Sequence, residues 1–188
     1  MDPVTHGLVG ATSAQFFSDE KSFRMATLVG FLSALAPDLD VFLGSDSDPL
    51  LTLELHRHFT HSLLFIPFGG LIVAGILWWF VKSKLTFKTT YLLSLAGYAT
   101  AGFMDVITSY GVYLFWPLSD ALFSLNIISV FDPLFTVILL VIGIFAFIKK
   151  KKTISLAAVI WVIFYLSVGF VQKARVMEIV HSKVDSNQ

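Results

Sequence analysis

The uninterrupted apolar stretch Leu63-Leu64-Phe65-Ile66-Pro67-Phe68-Gly69-Gly70-Leu71-Ile72-Val73-Ala74-Gly75-Ile76-Leu77-Trp78-Trp79-Phe80-Val81 decides the fold. It carries no charge over a length close to the roughly 20 residues that a helix needs to cross a bilayer. His56-Arg57-His58-Phe59-Thr60-His61-Ser62 opens it, and Lys82, Lys84 and Lys88 close it. The two ends of this span are therefore chemically different: one is histidine-rich, the other basic.

Further spans appear on working outward. Residues 25–43 are apolar, carry the small residues Gly30, Ser33, Ala34 and Ala36, and close with Pro37-Asp38-Leu39-Asp40. Small residues let membrane helices approach closely. Residues 44–55, with Asp46, Asp48 and Pro49, read as a loop. Residues 91–107 form the next span and contain Asp105; residues 127–148 follow, with Asp132-Pro133 near their start and Lys149 to Lys152 as a stop; residues 154–171 form the last. Residues 4–17 are apolar or small but short, predicting a tilted helix or one lying partly in the interface. The expected architecture is an all-α, polytopic transmembrane bundle of five spans plus a short N-terminal membrane helix. It is a single integral membrane domain: a motif-bearing region at 1–132, apolar helices over 133–172 and a polar tail at 173–188.

Composition agrees. The 188 residues are 56% hydrophobic and 14% charged, which would leave a soluble domain of this size with large exposed apolar patches. The chain has no cysteine, which excludes disulfides, thiolate ligands and a cysteine nucleophile and leaves imidazole and oxygen as metal ligands. A formal net charge of zero gives no general attraction to nucleic acid. The start, Met1-Asp2-Pro3, lacks the basic region of a cleavable signal and is expected to be retained.

Basic residues favour the cytoplasmic side of a membrane. Placing Lys82, Lys84, Lys88 and the run Lys149 to Lys152 there, and alternating the spans, also puts Lys21 and Arg24 inside. Pro37 to Asp40, His56 to His61, Asp105 and Asp132 then gather near the outer face, joined by His6 if the first helix crosses. Lys173 and Arg175 fall outside, against the bias.

Ionisable groups at membrane depth are costly unless they pair, line a wet cavity or bind an ion. Imidazole and carboxylate suit zinc, manganese or iron, and two metals would draw on about six such side chains. His6, Asp38, Asp40, His56, His61 and Asp105 supply that number. On one regular helix His56 and His61 would diverge by about 140°, so both converge only if the helix begins between them, with Thr60 as a possible cap. Asp38 and Asp40 likewise converge only if the chain leaves α-helical geometry after Pro37. His6 alone reads as an interfacial histidine and Asp132 as a helix cap; Tyr110, Tyr113 and Trp116 read as an aromatic belt. Arg57 could anchor at the headgroups or grip a phosphate.

The segments Thr5-His6-Gly7-Leu8-Val9-Gly10, Pro37-Asp38-Leu39-Asp40, His56-Arg57-His58-Phe59-Thr60-His61-Ser62-Leu63 and Asp105-Val106-Ile107-Thr108-Ser109-Tyr110-Gly111, with Trp116-Pro117 behind them, resemble the YdjM-type membrane-bound metal-dependent hydrolases. The resemblance covers the chain to about Asp132. It implies that His6, Asp38, Asp40, His56, His61 and Asp105 occupy the family's metal-binding positions, whereas His58 matches none. One departure is Ala101, where the family's pattern often has a histidine one turn before the aspartate; a substitute such as His58 would be needed for a full two-metal set. A looser similarity to zinc-dependent phospholipase C proteins suggests phosphoester chemistry.

The expected activity is hydrolysis of a phosphoester or related bond in a lipid or lipid-linked substrate at the outer headgroup level of the cytoplasmic membrane. It would use one or two divalent ions, zinc first and manganese or iron as alternatives. Asp40 and His56 would act as ligands or as base and orienting partner, and Arg57 would hold the phosphate. Two other classes stay open: a metal-ion or proton transporter using the same cluster, and a catalytically inactive membrane protein. A transporter predicts polar residues continuing to the opposite face, and the spans at 63–81 and 127–148 offer few there.

Overall fold

A computed structural model describes residues 1–43, 48, 51 and 56–185. Most of the loop expected at 44–55 and the end of the tail, 186–188, lie outside the described residues. Among them the fold is all-helical, with six α-helices: α1 (Pro3–Phe17), α2 (Phe23–Leu35), α3 (Ile66–Val81), α4 (Phe87–Val106), α5 (Pro133–Lys149) and α6 (Lys152–Asp185). Two of them meet the length and hydropathy of a membrane crossing: Phe23–Leu43, which joins α2 to the 3₁₀ helix after it (mean hydropathy 1.5), and Lys152–Val184 (2.4). Helices α3 and α5 are apolar but shorter.

Helix α1 is the centre of the bundle, packing against α2, α4, α5 and α6, rather than lying in an interface. Its sequence explains this: Gly7, Gly10, Ala11 and Ala14 present almost no side chain, so neighbouring backbones close onto it. At the crossing of α1, α2 and α4 three glycines meet. A Cβ on Gly10 would stand 2.5 Å from the Gly30 carbonyl oxygen, and one on Gly97 would stand 2.6 Å from the same oxygen. Two apolar clusters flank that crossing. Leu8, Val9, Met104, Phe135 and Leu139 fill one, and Ala26, Val29, Val81, Leu85 and Leu93 the other.

The helix ends follow their capping chemistry. Asp2 caps α1 through the Thr5 N–H, and Pro3 occupies the first turn, where its missing N–H is not needed. Asp132 caps α5 in the same way through the Phe135 N–H at 3.1 Å and also accepts from the Tyr165 hydroxyl at 2.7 Å. After α2 the chain tightens into a 3₁₀ helix, Pro37–Leu43, so the departure from α-helical geometry expected at Pro37 is present. Before α3 another short 3₁₀ helix, Phe59–His61, replaces the helix start expected near Thr60, and α3 itself begins only at Ile66, ahead of Pro67.

Helix α5 is capped by Lys150, in the left-handed region at φ 52°, and α6 begins two residues later. The tail expected from residue 173 instead continues α6 to Asp185, because Lys, Arg, Met, Glu and Ala are good helix formers and no glycine or proline interrupts them. At about 51 Å, α6 is longer than the hydrocarbon core is thick. Alternation of the helices brings the N-terminal ends of α1, α3 and α5 and the C-terminal ends of α2 and α4 to one end of the bundle, with Lys173 of α6 donating to the Leu125 carbonyl there. The opposite end carries the Lys152–Asp19 pair at 3.5 Å.

Candidate metal centre

Four helix ends bring their polar side chains together at the first of those two ends. His6 lies one turn into α1, Asp38 begins the 3₁₀ helix after α2, His61 ends the 3₁₀ helix before α3, and Asp105 lies in the last turn of α4. His6, His61 and Asp105 are fully buried or nearly so, and the Asp38 side chain is about one-fifth exposed (20%). His6, Asp38 and Asp105 each offer one ligand atom, all within 4.8 Å of one another. His6 Nε2 stands 3.2 Å from Asp105 Oδ1 and 3.9 Å from Asp38 Oδ2. His61 Nε2 completes the ring, 3.4 Å from Asp38 Oδ1 and 3.3 Å from Asp105 Oδ2.

These facing atoms lack hydrogen bonds. His61 Nε2, Asp38 Oδ1 and Asp105 Oδ2 are buried without a hydrogen-bond partner, although they converge on one another. Burying such groups unsatisfied is costly, and nitrogen and carboxylate oxygen are a fitting donor set for zinc, manganese or iron. The donors present therefore fit a divalent ion.

The residues behind this ring hold His61 in one orientation. Thr60 Oγ1 donates to Asp40 Oδ2 and lies 3.0 Å from His61 Nδ1. A hydroxyl has one proton, and a carboxylate takes it here, so the Thr60 oxygen accepts from His61 Nδ1–H. That leaves Nε2 as the atom directed into the ring, the arrangement by which a partner on one imidazole nitrogen prepares the other for a metal. Asp40 also accepts the Arg57 N–H at 2.9 Å and pairs with His56 Nδ1 at 2.7 Å. Asp40 and His56 thus sit outside the His6–Asp38–Asp105 group, on the far side of His61.

Burial alone would push the His61 pKa down, but the surrounding carboxylates of Asp105, Asp38 and Asp40 outweigh it and carry it up to about 10. The Met1 ammonium pairs with Asp105, and burial pushes that amine down.

Arg57 occupies a strained position. Its φ of 61° is in the left-handed region, which a side chain with a Cβ disfavours. The guanidinium reaches Asp105 Oδ2 with Nε at 3.3 Å and lies over the Tyr110 ring at 4.3 Å, with Nη1 buried and unpartnered. Tyr110, read from sequence as part of an aromatic belt, lies at the edge of the site, 44% exposed, with His56 against the same ring. His58 turns away onto Tyr113 and Trp116, at ring distances of 4.8 and 5.4 Å, and does not replace the histidine that Ala101 lacks. Asp132 is a cap, not part of the ring.

Tyr98 was not singled out from sequence. Its hydroxyl donates to the Thr60 carbonyl at 2.9 Å and so holds the 3₁₀ turn that carries His61. A signal existed: Tyr98 precedes Asp105 by two helical turns and shares its face. Gly102, between them, lets α4 pass the same turn, since a Cβ there would stand 2.7 Å from the His61 carbonyl oxygen.

"Uncharacterized protein YfhP" of Bacillus subtilis (strain 168) is 26% identical over 198 aligned residues, which cover 99% of this chain and 60% of that protein. The chain thus spans somewhat under two thirds of that relative's length. No solved structure matches. The model of a family described as "YdjM inner membrane protein" matches residues 1–176, a range that holds every residue of the buried His/Asp ring and all but the end of α6, and the chain belongs to that family.

Proposed function

We propose that this protein is a polytopic inner-membrane hydrolase that uses one or two divalent ions, zinc first, to cleave a phosphoester or related bond of a lipid or lipid-linked substrate at the outer headgroup level. The observation that carries the reading is the convergence of buried atoms of His61, Asp38 and Asp105 that make no hydrogen bond, beside His6. His6, Asp38, His61 and Asp105 would hold an ion. When bound, such an ion supplies a Lewis acid that acidifies water and polarises the scissile bond.

The protein's own groups have distinct tasks. Asp40 and Thr60 orient His61. His56, one-fifth exposed (20%) and bonded to Asp40, stands where it can accept a proton from water and pass charge to the carboxylate. Arg57 Nη1, unpartnered beside the ring, would bind a phosphate oxygen and stabilise the negative charge that develops on it.

Five crossings together with the short α1 agree with the exposed apolar surfaces of α3 and α5, which include Phe68, Ile72, Ile76, Leu134, Val137 and Ile144. At about 24–26 Å, these two helices would cross a bilayer with slight thinning or with flanking residues reaching outward. Lys82, 3.9 Å over the Trp79 ring, is a typical interfacial anchor at the basic, cytoplasmic end. The site then faces the extracytoplasmic side.

The test is release of phosphate or headgroup from phosphatidic acid and from a polyprenyl pyrophosphate by metal-loaded protein in mixed micelles. Turnover that is lost in Asp105→Asn and Arg57→Ala, while Arg57→Ala keeps its metal, supports the proposal. No turnover of either lipid by metal-replete wild type, with metal flux in proteoliposomes instead, would favour the transporter class.

A further inference from the structure

A lateral groove leads away from the ring. Between the 3₁₀ helix after α2 and the start of α3 lies an opening of about 250 Å³ whose polar end is Asp40 and Thr60 and whose body is Leu39, Ile72, Val73 and Ile76. A second opening of about 330 Å³ shares Leu39, Val73 and Ile76 and continues to Leu32 and Leu77. Together they form one trough along the α2–α3 seam, polar at the site and apolar along the rest. From Gly69 to Leu77 the trough runs about 12 Å down α3.

Its floor is built for depth. Gly69 faces the Tyr98 ring so closely that a Cβ would stand 2.3 Å from it, and among the described residues α3 packs chiefly on α4, and α2 on α1 and α4, rather than on each other. The seam is therefore left open on its outer side, where Leu39, Ile72 and Ile76 remain more than half exposed at 59%, 58% and 60%.

We infer that this trough seats one hydrocarbon chain of a phosphate-bearing lipid whose headgroup lies at the His/Asp ring, so that substrate enters sideways from the outer leaflet between α2 and α3. The inference rests on the proposed hydrolase reading and adds the seat of one lipid chain and the route by which the lipid enters. Two observations select that occupant. The apolar trough is continuous with Asp40 and Thr60, which are bonded into the site, so one ligand must be polar at one end and apolar for the rest. Arg57 Nη1, unpartnered and buried at the same end, calls for an anionic head.

The experiment uses the full chain in phosphatidylcholine nanodiscs with a small fraction of phosphatidic acid carrying a diazirine in one acyl chain. Photolysis is followed by peptide mapping. The expected result is labelling of Leu39, Val73 and Ile76 in roughly tenfold excess over Ile144 and Ile163, which face outward on α5 and α6 at 47% and 61% exposure. Val73→Trp should reduce that excess to background with helicity and metal content unchanged, and Ile76→Trp serves the same purpose should Val73→Trp misfold. The same chain carried on diacylglycerol, which lacks the phosphate, should show no excess.

Equal labelling of the seam and the outward positions, or labelling that survives both tryptophan variants, overturns the inference. Metal content measured on the same samples keeps the two readings apart. Uniform labelling of metal-replete protein sinks the groove alone, whereas seam labelling in a wild type that binds no metal supports the groove and sinks the hydrolase reading.

Discussion

Replacing Gly30 by alanine should damage the metal centre from a distance. The new Cβ would lie 2.4 Å from the Gly10 carbonyl oxygen and 2.4 Å from the Ala14 Cβ. Ordinary contact begins near 3.4 Å, so α1 and α2 must separate by 3.4 − 2.4 = 1.0 Å at their crossing. Both obstacles are backbone or Cβ, which cannot rotate aside. His6 leaves the crossing on α1 and Asp38 on α2, toward the same end, so their 3.9 Å separation should widen by a similar amount. Metal–ligand distances tolerate only about 0.2 Å. Overpacking of this kind costs about 1–3 kcal/mol, and misplacing ligands through their supports typically costs about 10- to 100-fold in metal affinity. Competition titration of purified protein against a chromophoric zinc chelator, with thermal unfolding in the same detergent, reads both effects. Gly75→Ala on α3 is the control, since its Cβ meets nothing within 4 Å. A Gly30→Ala protein with wild-type unfolding temperature and wild-type zinc affinity would refute the argument that the glycine crossing sets the site.

Other outcomes are equally specific. Tyr98→Phe removes the 2.9 Å bond to the Thr60 carbonyl and should cost about 1 kcal/mol with a several-fold loss of zinc affinity, read in the same titration; unchanged affinity would mean that the His61 turn is held without it. At position 57, where φ is 61°, Arg57→Gly should be more stable than Arg57→Ala by about 1 kcal/mol in thermal unfolding, because only the backbone preference differs between them; equal stabilities would contradict the strained conformation. Metal-free protein should lose stability as pH rises from about 6.5 toward 10: His61 is raised from 6.5 to about 10, so its contribution is full below the lower value and gone above the upper. With zinc bound that loss should vanish and the slope across the same window should be close to flat, since the ion displaces the Nε2 proton and neither folded nor unfolded His61 then titrates there. Unfolding temperatures measured against pH with chelator and with zinc check both slopes.

The sequence makes the helical class and the gathering of His6, Asp38, His61 and Asp105 legible, because charge in a hydrophobic setting is rare enough that each instance demands a partner. Pro37 signals the break that turns Asp38 inward. Other features depend on distances that sequence does not carry. The left-handed Arg57 has no glycine or asparagine to announce it, and the division between the ring and the Asp40–His56 pair follows from how Thr60 spends one proton. Tyr110 reads as a membrane-belt residue by composition, and its contact with Arg57 depends on the chain folding back after Asp105, which sequence does not carry. The end of α6 was missed because hydropathy reports solvent rather than backbone: Gln172 onward is polar but still made of helix formers. The core position of α1 was obscured by its shortness, although its glycines mark the surface onto which α2 closes.

Elemental analysis of detergent-purified protein, after growth with zinc, manganese and iron, tests the central claim most directly. The account predicts about one or two equivalents of metal in wild type and in His58→Ala, whose ring packs on Tyr113 and Trp116, and loss of that metal in His6→Ala, His61→Ala and Asp105→Asn at unchanged helicity. A wild type that stays metal-free after supplementation, or ring variants that keep their metal, would contradict it.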